Sequence, residues 1–161
     1  NIISREPISL EKAIIKSCHY KATIVKSDEY ETKNTRALLN LGHTFAHAIE
    51  NALQYDDIIK HGEAVSIGIV MASELSHLVK NFPSDELERI KNHFLSIGLP
   101  ISLNHINKSL NIDMLIKPML QDKKNIDGKV VFILLESIGK AIISKSVNLN
   151  DVKNIIGKYL I

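Results

Sequence analysis

The segment Ala64-Val65-Ser66-Ile67-Gly68-Ile69-Val70-Met71-Ala72-Ser73-Glu74-Leu75 is apolar or small on nearly every side. A helix without a polar face has to be enclosed by other elements, so this stretch predicts a central buried helix around which the chain is organised. The flanking segments carry one-sided patterns instead. Ser9 is placed to cap a helix over Leu10 to about Val25, with Leu10, Ala13, Ile14 and Cys18 on one buried face. The polar run Ser27 to Thr35 breaks the pattern. From Arg36 a helix is expected to continue to about Leu53, and Gln54-Tyr55-Asp56-Asp57 interrupts it before His61 opens the central helix.

Phe82-Pro83-Ser84-Asp85-Glu86 ends that helix and starts the next, with Ser84 as N-cap and two acids where the helix dipole favours negative charge. Gly98-Leu99-Pro100 stops it near Ile97. Asn111-Ile112-Asp113 reads as the cap of a short helix through Leu120. The period then changes from helical to alternating. Lys129 to Leu135 and Lys140 to Ser144, separated by Glu136-Ser137-Ile138-Gly139, predict a two-stranded hairpin, and Asn150-Asp151-Val152 caps a terminal helix. The expected fold class is mostly α, a multi-helical domain over 1–161 with one small β-hairpin.

With 161 residues and 45% hydrophobic side chains, one domain can bury a sizeable core. A formal net charge of +2 with scattered lysines gives no reason to expect nucleic acid. No apolar run approaches the length of a membrane span, and the single Cys18 cannot form an internal disulfide, so a reducing cytoplasm is expected. The opening Asn1-Ile2-Ile3-Ser4-Arg5-Glu6-Pro7 reads as a linker entering a helix, and the chain is expected to be part of a longer enzyme.

The chemistry concentrates in histidines. His43 and His47 stand four residues apart, one above the other on a helix face, and His61 follows at the start of the central helix. Imidazoles in this setting suit a metal ion. Both of the first pair can ligate, or one can ligate while the other moves protons. Gly42, just before His43, permits close backbone approach. A catalytic zinc takes three protein ligands and keeps a fourth position open. The third donor can be His47, Glu50, Glu63 or an acid from outside the chain. His19, His77, His93 and His105 lack such a setting and read as structural or solvent-facing.

Arg36-Ala37-Leu38-Leu39-Asn40-Leu41-Gly42-His43-Thr44-Phe45-Ala46-His47-Ala48-Ile49-Glu50, followed by His61-Gly62-Glu63-Ala64-Val65, strongly resembles the 3-dehydroquinate synthase family. Lys21 and Asp28-Glu29-Tyr30-Glu31 upstream, and Asp122-Lys123-Lys124-Asn125-Ile126-Asp127-Gly128 downstream, occur in the family's order. The resemblance spans about residues 10 to 145 and covers the family's C-terminal, helical half. It implies the conversion of 3-deoxy-D-arabino-heptulosonate 7-phosphate to 3-dehydroquinate and phosphate in the shikimate pathway, through transient oxidation by NAD. The family's N-terminal α/β domain, which binds most of the NAD and supplies a glutamate to the metal, is not in this sequence, so the chain alone is expected to be inactive.

The resemblance also implies roles. His43 and His61 are the zinc or cobalt ligands, and His47 handles protons beside the substrate. Arg36, Asn40, Lys21, Lys124 and Lys123 contact the sugar phosphate, and Glu31 accepts a proton. Spacing would let Arg36, Asn40 and His43 share one helix face. The family implies a homodimer. Ala46 replaces the usual glycine before the second histidine, and the stretch from Lys21 to Arg36 is one residue longer than in many relatives. Other sugar phosphate cyclases, such as 2-deoxy-scyllo-inosose synthase, are the nearest alternative. A metal-dependent polyol dehydrogenase fits less well, because it gives Arg36, Asn40 and Lys123–Lys124 little to bind. A non-catalytic metal-binding module is the alternative from another class.

Overall fold

The computed structural model describes residues 2–30, 32–55, 58–104, 106, 109–121 and 129–160. Its elements, in order, are α1 (Pro7–Ser27), a 3-10 helix (Arg36–Asn40), α2 (His43–Ala52), α3 (His61–Lys80), α4 (Ser84–Ser96), α5 (Ile112–Gln121), β1 (Phe132–Ser137), β2 (Lys140–Ser144) and α6 (Leu149–Tyr159). The mostly helical architecture with one hairpin agrees with the sequence pattern. The chain divides into two compact units, residues 1–39 and 40–161.

In the first unit, α1 begins earlier than Ser9. Glu6 is the N-cap, its carboxylate accepting from the Ser9 backbone N–H at 3.0 Å and from the Ser9 hydroxyl. Pro7 follows in the first turn, where its missing N–H costs no helical hydrogen bond. No residue of α1 is buried, and Ile14 and Cys18 are exposed, so the expected apolar face is not an enclosed one.

The second unit is built around α3. Ten of its 20 residues are buried, and α2, α4, α6 and β1 all pack against it. Its small polar residues are satisfied internally. Ser73 and Ser76 donate to the carbonyls of Ile69 and Ala72, and the Ser76 oxygen also accepts from the Leu135 backbone N–H at 2.9 Å, tying β1 to the helix. Phe45, Ile49, Ile67, Met71, Leu75, Leu134 and Ile156 fill the centre of the core.

The helix expected from Arg36 to Leu53 is broken. A 3-10 turn ends at Asn40, Gly42 adopts the left-handed conformation at φ 78°, and α2 starts at His43. Tertiary packing causes the break. A Cβ on Gly42 would lie 2.5 Å from the Ile69 nitrogen, and one on Gly68 would lie 2.3 Å from the Gly42 oxygen. Arg36, Asn40 and His43 therefore do not share the face of one continuous helix.

Other boundaries shift by one to three residues. Pro83, not Ser84, is the N-cap of α4, though Asp85 and Glu86 occupy its first turn as expected. Asn111 does cap α5, accepting from Met114 N–H at 3.0 Å. Asn148 rather than Asn150 caps α6, accepting from the Asn150 N–H at 2.9 Å. In the hairpin Phe132 pairs with Ser144 and Leu134 with Ile142. An irregularity between Leu135 and Ser137 admits Glu136 and Ser137 into β1, so the turn narrows to Ile138 and Gly139. No described helix is long and apolar enough to cross a membrane.

Glu74 ties three helices together. Its carboxylate, 14% exposed, meets Lys91 of α4 at 2.8 Å and Lys158 of α6 at 3.3 Å. Burial opposes ionisation of Glu74, but the Lys91 ammonium outweighs it, with help from Tyr159 and Lys158, and holds the carboxyl below its ordinary range. The Tyr159 phenol is pushed upward by burial and by the Glu74 charge. A carboxyl depressed on folding contributes stability above its unfolded pKa, near 4.3, and loses it as pH falls through the folded value. Glu74→Gln should therefore cost about 1–2 kcal/mol at pH 7 and less under acid, read by urea unfolding at both pH values.

The glycine contact gives a sharper test. Gly68→Ala should destabilise by about 2 kcal/mol or more, since the added methyl meets backbone. Gly62→Ala, with nothing within 4 Å of the added carbon, should leave stability unchanged or slightly higher. Thermal melts of the two variants distinguish them.

Candidate metal centre

His43 and His61 are the first residues of α2 and α3. The fold that packs these helices brings the two rings to a centroid separation of 5.6 Å, at an interplanar angle of 64°. Imidazole nitrogens bind zinc at about 2.0–2.1 Å, so two rings on one tetrahedral ion have centroids roughly 5 Å apart. His47, one turn along α2, has its centroid 5.5 Å from that of His43 and 6.3 Å from that of His61. Among the described residues no group of three His, Cys, Asp or Glu side chains is arranged to hold a metal ion.

Hydrogen bonding separates the three rings. His43 Nδ1 lies 3.2 Å from the Leu41 carbonyl, and His61 Nδ1 lies 2.8 Å from Glu50 Oε1. A ring whose Nδ1–H donates to an oxygen presents Nε2 as the lone-pair nitrogen, the usual arrangement behind a metal-ligating imidazole. The His47 ring makes no hydrogen bond to any described residue, and it lines a cavity of about 490 Å³ together with Glu50, Asn51, Tyr55, His61 and Gln121. The cavity lies against α2 and α5. Pro118, inside α5, forms part of its wall.

The two acids near the histidines have separate tasks. Glu63 accepts from the Lys60 backbone N–H at 2.8 Å, closing the first turn of α3, while Glu50 faces His61. Thr44 also fixes α2, its hydroxyl donating to the Val131 carbonyl at 3.2 Å. His77 fits its structural reading, with Nδ1 2.6 Å from the Phe82 carbonyl just past the end of α3.

Asn40 ends the 3-10 helix and is half-buried. Lys21 and Arg36 belong to the first unit. Lys21 is exposed on α1, and the Arg36 guanidinium donates to the Glu29 carbonyl at 3.0 Å. Glu31, Lys123, Lys124 and His105 lie outside the described residues. Asp28, within the Asp28-Glu29-Tyr30-Glu31 stretch, organises the loop that follows α1. It is 2% exposed, and its carboxylate accepts from the backbone N–H groups of Lys33 at 2.9 Å and Arg36 at 3.1 Å. The Lys33 N–H is the main cause holding this carboxyl below its ordinary range, against burial, with the Arg36 N–H adding to it. An Asp followed by polar residues is the sequence signal for such a loop. Glu50, Asn51, Tyr55 and Gln121 carry no comparable local signal.

Comparison with solved structures gives the fold class. The chain aligns at TM-score 0.76 and 20% identity with 2-epi-5-epi-valiolone synthase from Streptomyces hygroscopicus, solved with NAD+ and Zn2+, covering 96% of this chain and 41% of that one. It aligns at TM-score 0.78 and 25% identity with 2-deoxy-scyllo-inosose synthase, solved with carbaglucose-6-phosphate, NAD+ and Co2+, covering 96% and 43%. The fold is thus one found within the sugar phosphate cyclases.

Residues 1–125 match the family model described as 3-dehydroquinate synthase C-terminal, and the chain belongs to that family. It is 43% identical over 155 residues to the 3-dehydroquinate synthase of Nitrobacter hamburgensis, covering 93% of this chain and 40% of the relative. The Coxiella burnetii enzyme of the same name is 42% identical over 156 residues, covering 97% and 42%. The chain spans about two fifths of the length of the curated relatives it matches.

Because Asp28 ionises more easily when folded, its support of the loop exists above the ordinary aspartate range and disappears as pH falls through the depressed value. Asp28→Ala should open residues 28–36 to proteolysis at neutral pH. The wild-type chain should show the same cleavage only in acid. Limited proteolysis with mapped cut sites measures both.

Proposed function

We propose that this chain is the helical C-terminal domain, residues 1–161, of a 3-dehydroquinate synthase, an NAD- and metal-dependent carbon–oxygen lyase of the shikimate pathway. The whole enzyme converts 3-deoxy-D-arabino-heptulosonate 7-phosphate to 3-dehydroquinate and phosphate. Identity of 42–43% to enzymes of that name, against 20–25% to the two other cyclases, favours this product over 2-deoxy-scyllo-inosose. The observation that carries the reading is the 5.6 Å separation of the His43 and His61 rings, each anchored at Nδ1.

On this reading His43 and His61 hold a zinc or cobalt ion, and a carboxylate from an N-terminal NAD-binding α/β domain outside this sequence completes the set. A bound metal supplies Lewis acidity to the substrate hydroxyls, making one of them easier to oxidise. His47 stands one turn from His43 on α2 and takes or gives protons beside the bound sugar. Arg36 offers paired N–H donors to an oxyanion, and Asn40 offers both a donor and an acceptor to hydroxyl and phosphate oxygens. Lys21 and Lys123 or Lys124 neutralise substrate charge, and Glu31 accepts a proton. The working enzyme is a cytoplasmic homodimer.

Removing His43 and removing His47 should then have different effects in the full-length enzyme. His43→Ala should lose bound metal and activity together. His47→Ala should keep its metal while phosphate release slows by about 10²–10⁴-fold. Metal content by plasma emission, measured beside phosphate release, checks this, and the reverse pattern would remove the ligand assignment.

A further inference from the structure

We propose that Glu50 is a positioning residue for the metal centre, acting through His61 and not as a ligand itself; the inference rests on the reading that His43 and His61 hold a divalent cation. Glu50 Oε1 lies 2.8 Å from His61 Nδ1. A carboxylate acceptor favours a proton on Nδ1, so in the neutral ring Nε2 keeps its lone pair. That is the tautomer a metal needs when it approaches from the Nε2 side.

The burial of the two partners explains why the anchor matters. The Glu50 side chain is 13% exposed, whereas that of His61 is 58% exposed. His61 is also the first residue of α3, where the chain has only just left a loop. Left alone, an exposed ring at a helix start turns among rotamers, and ordering it on metal binding has an entropic cost. Glu50 comes from the last turn of α2, two turns beyond His43 and three residues beyond His47, so the same helix that carries His43 also fixes the ring from α3. Glu63, the other nearby acid, is committed to the Lys60 N–H. The residue pattern His43, His47, Glu50 thus places a candidate ligand, a candidate proton carrier and a ring anchor on one face of α2.

The test uses the full-length enzyme, its Glu50→Ala, Glu50→Gln, His43→Ala and His61→Ala variants, and Zn2+ or Co2+ alone as probe. Long-range 1H–15N correlation in the metal-free enzyme should show His61 as the Nδ1–H tautomer. Glu50→Ala should lose that preference and bind Zn2+ about 10–100-fold more weakly, with circular dichroism and melting temperature unchanged. Glu50→Gln keeps an acceptor oxygen, so it should retain the tautomer, recover most of the affinity and give the wild-type Co2+ absorption spectrum. This variant also carries the test if Glu50→Ala fails to fold.

Three results overturn the proposal. Glu50→Ala with unchanged tautomer and affinity would make the contact incidental. Glu50→Gln losing as much affinity as His61→Ala, with an altered Co2+ spectrum, would make Glu50 a ligand. If His43→Ala and His61→Ala leave Zn2+ binding unaffected, the reading of the metal centre fails and this inference with it; if those two abolish binding while Glu50→Ala does not, only the inference fails.

Discussion

The second unit depends on a place where two backbones nearly touch. Gly42 and Gly68 have no side chains, and their main chains approach so closely that a Cβ on either would meet backbone atoms of the other's helix within 3 Å. This contact sets how far α2 can sit from α3, and therefore where His43 stands relative to His61. It also explains why the helix has to restart at His43. The left-handed turn at Gly42 puts its carbonyl against Gly68 and still lets that oxygen accept the first helical hydrogen bond, from Ala46 N–H at 3.0 Å. The separation of the two imidazoles is thus a by-product of a close backbone contact, where small deviations are expensive.

Acidic side chains do three different jobs along these helices. Glu63 closes the start of α3, Glu50 reaches across from α2 to an imidazole, and Glu74 gathers cations from α4 and α6. Each is satisfied by a partner, and no described buried side-chain polar atom is left without one. The result is that α3 is held twice at its first turn, through Glu63 and His61, and again further along at Glu74. A helix so constrained gives its first residue, His61, a fixed backbone from which to project.

Much of this was legible in the residue pattern because it follows from local periodicity. The all-round apolarity of Ala64 to Leu75 announced the buried helix, the alternation at Lys129 to Ser144 announced the hairpin, and the left-handed Gly98 fell where a helix stop was expected. What was not legible depends on distant partners. Nothing near Gly42 says that Gly68 will lie against it, so the helix break could not be read. The 11-residue separation of Glu50 and His61 hides their contact, and it left Glu50 and Glu63 as equal candidates for the metal. The α1 face was misread for the opposite reason: periodicity predicts which side chains share a face, but not whether anything covers it. Two capping positions moved because the Glu6 and Asn148 side chains accept from the first helical turn, whereas Pro83 precedes α4 without a side-chain cap.

Both anchored histidines occupy the first position of a helix, and the positive ends of two peptide macrodipoles are therefore brought to the same small region. Each end carries roughly half an elementary charge. A divalent cation coordinated there only by neutral rings would sit in an unfavourable field, whereas a carboxylate donor or a phosphorylated sugar would find that field attractive. The field at these two helix starts consequently favours negatively charged groups beside the imidazoles.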